Sequence, residues 1–205
     1  MLAASPTGLL VHVGNAACWG AFVVVWVATA VYERPRAPRR RARSTDGLAI
    51  RFAAIVPCAA LVLVALRYAD GLAVDALWLR VVGLVVLVAS TAFSFWARFA
   101  LGTMWSVEAV VRERHELRTQ GPYAITRNPI YTGMLGMFLG STLLGGIGRW
   151  VFLVPLGLVV LGLKARQEER LMAAAFPDEH PDYRQRVPAL VPRLRRTAPR
   201  RTRRP

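Results

Sequence analysis

The chain alternates long apolar runs with short, strongly basic ones. No acidic or basic residue occurs before Glu33, and the run Gly8–Tyr32 exceeds the roughly 20 apolar residues a bilayer-spanning helix needs. A second run covers 47–66, with only Arg51 inside it, near one end. A third covers 76–97, where the long side chain of Arg80 is expected to snorkel to the interface. The fourth, 128–148, carries no charge, and 150–163 is short for an independent span but suits the return arm of a hairpin closed near 145–149. Gly133, Gly136 and Gly140 recur at helical spacing, which predicts close packing against a neighbouring helix. A nucleotide-binding glycine loop is the sharper alternative, but no strand precedes these glycines and no βαβ pattern surrounds them. The pattern predicts an all-α integral membrane protein with about five transmembrane helices, the last two forming a hairpin.

Composition agrees. The 205 residues are 55% hydrophobic, yet 27 are Lys or Arg against 12 Asp or Glu, a net charge of +15. The first 32 residues are too long for a secretory h-region and lack a basic leader, so they read as a retained span. Seven arginines fall in 33–51, five in 98–127, and twelve Lys or Arg from Lys164 onward, against only Arg67, Arg80 and Arg149 in the other connections. Basic residues favour the cytosolic side, so five crossings with the N-terminus outside place all three basic segments in the cytosol. Organisation follows: 1–70 with two N-terminal helices, 71–192 as the core, and 193–205 as a basic, disordered tail. That tail is expected to lie near anionic lipid head groups rather than on nucleic acid, since it hangs from a span and lacks interleaved aromatics. Cys18 and Cys58 lie in apolar runs at no zinc or redox spacing and read as packed thiols. His12 has no metal-binding partner nearby in sequence, and His180 sits among Pro and acidic residues, as in an exposed turn.

Between the third and fourth spans, Gly121-Pro122 marks a turn. Asn128-Pro129 then starts a helix, with Asn128 at the N-cap and Pro129 at the first helical position. Tyr123 and Tyr131 are suited to an interface. Lys164 and Glu168, four apart, share one helical face, as a surface ion pair also would.

The stretches His115-Glu116-Leu117, Gly121-Pro122-Tyr123 and Arg127-Asn128-Pro129-Ile130-Tyr131-Thr132-Gly133 together resemble the cofactor-binding signature of the isoprenylcysteine carboxyl methyltransferase family. The resemblance continues through Glu168-Glu169, Phe176-Pro177 and Tyr183-Arg184-Gln185-Arg186-Val187-Pro188, and covers nearly half the chain. It implies a membrane-embedded methyltransferase using S-adenosylmethionine, with a cytosolic cofactor pocket. By motif position, His115, Glu116, Leu117 and Arg118 would line one wall. Tyr123, Asn128, Pro129, Ile130 and Tyr131 would line the other, and Glu168 would hold the cofactor from the last helix. Lys164 would meet the acceptor, and Lys164 and Arg127 are the candidate catalytic residues. Asn128 stands where the family has histidine, and Lys164 where it tends to have arginine.

A carboxylate acceptor fits this segment, because it is already ionised at pH 7 and needs alignment and desolvation rather than a base. An amine arrives protonated and needs a base or a lowered pKa. The expectation is methyl transfer to a carboxylate of an isoprenoid or lipid-like, or prenylated, acceptor. The alternatives are a lipid amine N-methyltransferase, a reductase of related architecture, and a non-enzymatic small membrane protein.

Overall fold

A computed structural model describes residues 6–33, 40–43, 73–74, 76–102, 110–112 and 117–191. Helix α1 covers Pro6–Glu33 and α2 covers Leu77–Leu101. Among the described residues these two are long and apolar enough to cross a membrane. Helix α3 is a single turn, Pro122–Ile125, opened by Gly121 at φ 60°. Helix α4, Pro129–Leu144, follows, then α5, Leu153–Ala175, and α6, His180–Arg186. Among the described residues the other elements are helices, apart from a two-stranded antiparallel pairing of β1 (Arg40–Arg43) with β2 (Val110–Arg112) and an isolated bridge between Ala73 and Ile147. The expected run 47–66 lies outside the described residues.

Helices α2 and α4 form the centre, and the glycines explain how closely they approach. A Cβ on Gly140 would stand 2.5 Å from the Leu87 backbone nitrogen, and one on Gly83 would meet the Leu144 backbone. Gly133 faces Ser94 and Gly136 faces Ser90 in the same way. The predicted small-residue face is therefore the α2–α4 seam, where dispersion contacts replace a hydrophobic driving force that lipid does not supply. Helix α1 lies across it. The Trp19 indole N–H donates to Ser141 at 3.0 Å, and its ring stacks on Phe138 at 5.2 Å. Phe22, Leu87, Met137 and Leu144 make the buried cluster beneath. Outward faces remain apolar: Val23, Val24, Val27, Val81, Val85 and Val88 are all exposed, as suits side chains turned to lipid.

The predicted hairpin closes where expected. After Leu144 the Gly146 N–H returns to the Leu143 carbonyl and the Ile147 N–H to Thr142, with Gly146 at φ 80°. This crossed pair of bonds satisfies carbonyls that the helix end leaves open, and its left-handed position suits glycine. The return arm differs from expectation: a 3₁₀ turn, Gly148–Phe152, precedes α5, which continues 23 residues to Ala175. The apolar part of α5 thus runs without a break into the charged part holding Lys164 and Glu168. Arg80 also departs from its predicted snorkel. It is only 8% exposed and turns towards Gly146 within the protein.

Candidate active site

Helix α4 begins with Pro129 at its first position, as predicted, but the Asn128 side chain caps nothing. Its amide N–H instead donates to the Ala189 carbonyl at 3.1 Å, which also accepts the Asn128 backbone N–H. The segment 187–191 runs beside the first turn of α4. The Arg127 N–H donates to Pro188, the Thr126 hydroxyl to Ala189, and the Thr132 hydroxyl to Leu190. This strap leaves the polar backbone around the helix entrance satisfied within the protein, as a membrane-adjacent segment requires.

Arg127 fastens the strap to α5. Its Nε and Nη2 both donate to one carboxylate oxygen of Glu169, at 2.9 and 2.7 Å. Its Nη1 donates to the carbonyls of Arg184 and Val187. Tyr183, buried on α6, donates its hydroxyl to the Tyr123 carbonyl at 2.7 Å, tying α6 to α3. Burial pushes the Tyr183 hydroxyl up to about 12. His180 is buried on α6 rather than exposed in a turn. Burial lowers its pKa, opposed by the nearby Glu169 carboxylate and assisted by Arg127 and Arg184.

Beside this clasp lies a second cluster. The Tyr131 hydroxyl donates to Glu168 at 2.5 Å, and the Lys164 ammonium stands 5.7 Å from the Tyr131 ring centre. Burial raises the Glu168 pKa, while the Tyr131 hydrogen bond and the Lys164 charge pull it back down. Tyr123, also buried, is pushed well above the ordinary tyrosine range, first by burial and then by the Glu168 charge. Two tyrosines and a carboxylate thus meet where α3, α4 and α5 converge.

The structure therefore brings together Tyr123, Tyr131, Glu168 and Lys164 from the predicted set. Pro129 and Ile130 are buried at the same helix entrance. Leu117 and Arg118 precede α3, while His115 and Glu116 lie outside the described residues. Arg127 and Asn128 are engaged by Glu169 and by strap carbonyls. Sequence reasoning missed Tyr183 and His180 as buried members; Tyr183 had a signal in the motif that closes the resemblance, whereas His180 lies outside every stretch that carries it. Among the described residues, no three His, Cys, Asp or Glu side chains gather as a metal site would require.

Comparisons with known proteins fit this arrangement. Residues 78–179 match the family model described as phospholipid methyltransferase. The solved structure of a eukaryotic intramembrane Ras methyltransferase, isoprenylcysteine carboxyl methyltransferase, superposes with a TM-score of 0.52. That match has 20% identity and covers 91% of this chain and 73% of the other. Two curated relatives are the cobalt-zinc-cadmium resistance protein CzcN of Cupriavidus metallidurans, 30% identical over 96 residues, and the nickel-cobalt-cadmium resistance protein NccN of Alcaligenes xylosoxydans xylosoxydans, 29% identical over 140. These alignments cover 46% and 58% of this chain, which spans 44% and 64% of the lengths of those relatives. The fold is that of an intramembrane methyltransferase. The chain belongs to the phospholipid methyltransferase family and is like isoprenylcysteine carboxyl methyltransferase, an intramembrane enzyme, in architecture; two of its described helices are long and apolar enough to cross a membrane.

Proposed function

We propose that the protein moves a methyl group from S-adenosylmethionine to a carboxylate of an isoprenoid or lipid-like acceptor. The observation that carries this reading is the convergence of Lys164, Tyr131 and Glu168. The cofactor is cationic and, when bound, supplies an activated methyl. The residues present fit such a group: Glu168 offers an anion, and the rings of Tyr123 and Tyr131 offer cation–π attraction of about 0.5–2 kcal/mol each. Tyr131 also orients Glu168 through its hydroxyl. His115, Glu116, Leu117 and Arg118 supply the facing wall by motif position, while Pro129 and Ile130 shape the helix entrance.

Lys164 attracts the acceptor carboxylate, and the surrounding apolar helices strip its water. Arg127 and Asn128 act as positioning residues, holding the strap so that Tyr131 and Glu168 stay in place. The distribution of basic residues, 24 against 3 by the counts above, supports a multi-pass topology with the N-terminus outside and this site in the cytosol.

A second reading, methylation of a lipid amine, draws support from the matched family's description. The Lys164 charge speaks for the carboxylate, since it repels a protonated amine. The test uses purified full chain with methyl-labelled S-adenosylmethionine and either isoprenoid acids, prenylated cysteine or aminophospholipids. Base-labile label on an acid supports the ester reading, and base-stable label on an aminophospholipid supports the amine. Absence of cofactor binding ends both.

A further inference from the structure

A cavity of about 410 Å³ opens between α3 and the α6–strap connection, with no α5 residue in its lining. Arg127, Arg184, Gln185 and Arg186 line it together with Ile125 and Pro188, and no Asp or Glu does. Glu169 offsets the Arg127 charge. Arg184 and Arg186 are exposed, and Arg186 donates from Nε to the Asp182 carbonyl at 3.2 Å. Two exposed arginines therefore line one hollow, and the forked donors of a guanidinium suit the oxygens of a phosphate.

Its height on the molecule narrows the choice of ligand. The strap that forms one wall is hydrogen-bonded to the first turn of α4, through Asn128 to Ala189 and Thr132 to Leu190. The hollow thus lies level with the point where an apolar helix begins. Ile125 on its lining and Val191 just beyond it are 41% and 68% exposed. A phosphate bound here has apolar side chains beside it, as a lipid head group with attached acyl chains requires and a free ion does not.

We propose that this groove binds the phosphate head group of an anionic membrane phospholipid, with Arg184 and Arg186 as its principal ligands. The site is separate from the Tyr131–Glu168 cluster, and the inference stands whether or not the methyl-transfer reading holds. Because the groove shares Arg127 with the clasp on α5, a bound head group steadies the strap from its outer side.

Native mass spectrometry of the full chain, released from detergent with added phosphatidylglycerol or phosphatidylcholine, tests this. The wild-type chain is expected to retain phosphatidylglycerol preferentially. Arg184→Gln with Arg186→Gln is expected to reduce that retention roughly tenfold or more, from the loss of two charges near the surface. Arg195→Gln with Arg196→Gln, in the basic C-terminal run, is expected to leave it within about twofold. Equal retention of both lipids, equal losses in both double variants, or displacement by an equal concentration of inorganic phosphate overturns the proposal. A photoactivatable phosphatidylglycerol on the wild-type chain gives an answer independent of folding in the variants. Label in 124–127 or 184–189 supports the groove, and label confined elsewhere refutes it.

Discussion

Tyr131, in the first turn of α4, gives its hydroxyl proton to a hydrogen bond with Glu168 on α5, at 2.5 Å. That bond joins the two arms of the hairpin at the end opposite its turn. It also opposes the burial that raises the Glu168 pKa. Tyr131→Phe is therefore expected to push Glu168 further up. Cofactor affinity, which needs the ionised carboxylate, then begins to fall at a higher pH on acidification than in the wild type. Calorimetric titrations across the acidic range check this, and an unmoved midpoint refutes it.

Glu168→Gln separates stability from function. A carboxylate whose folded pKa lies above its unfolded value of 4.5 favours folding only while protonated, and that contribution is lost as pH rises through the folded pKa. At neutral pH the ionised group is thus a cost to the cofactor-free fold. The neutral amide is expected to hold or raise the melting temperature near pH 7 while weakening cofactor binding by roughly tenfold or more. Parallel loss of melting temperature and affinity contradicts this division.

Lys164→Met keeps the length and apolar stem of the side chain and removes its charge. The acceptor KM is expected to rise about tenfold and the cofactor Kd to move by a smaller factor, since Lys164 reaches the cofactor only through its pull on Glu168. Steady-state kinetics with each substrate varied in turn decide it; equal effects on both remove the acceptor role.

Arg127→Lys retains charge but cannot reproduce four donated bonds to Glu169, Arg184 and Val187. Stripping a part-buried carboxylate and two carbonyls of partners costs about 2–4 kcal/mol. Hydrogen exchange in 184–191 is expected to quicken while α2 amides stay protected. Uniform acceleration across the chain points instead to global destabilisation.

His180 gives a pH prediction of opposite sign to Glu168. Its folded pKa lies below the unfolded 6.5, so its contribution is full above that value and lost as pH falls through the folded pKa. The melting temperature is expected to drop from about pH 7 to about pH 5, and less so in His180→Gln. An identical drop in the variant assigns the effect elsewhere.

How much of this was legible beforehand depends on distance along the chain. The spans at α1 and α2, the hairpin turn and the glycine face follow from local pattern, because hydropathy and helical spacing act over a few residues. The Tyr131–Glu168 cluster was reachable only through motif resemblance, since its members lie 37 residues apart. Arg127 reads locally as one more basic residue before a helix. Its four bonds go 42 to 60 residues downstream, where no periodicity points. His180 sits in a polar, proline-rich stretch that looks solvated, yet α6 turns it inward beside Glu169 and Arg127.

The α2–α4 seam carries a consequence for traffic. With Gly140 against the Leu87 backbone and Gly83 against that of Leu144, no methylene-width gap separates these helices. On the proposed reading, a long-chain acceptor sliding in from the bilayer finds that side shut at Gly83, Gly133, Gly136 and Gly140. Gly157 of α5 sits as closely on Phe138 of α4, so the hairpin seam is filled there too. The small residues thus act as walls that narrow the ways a greasy molecule can approach.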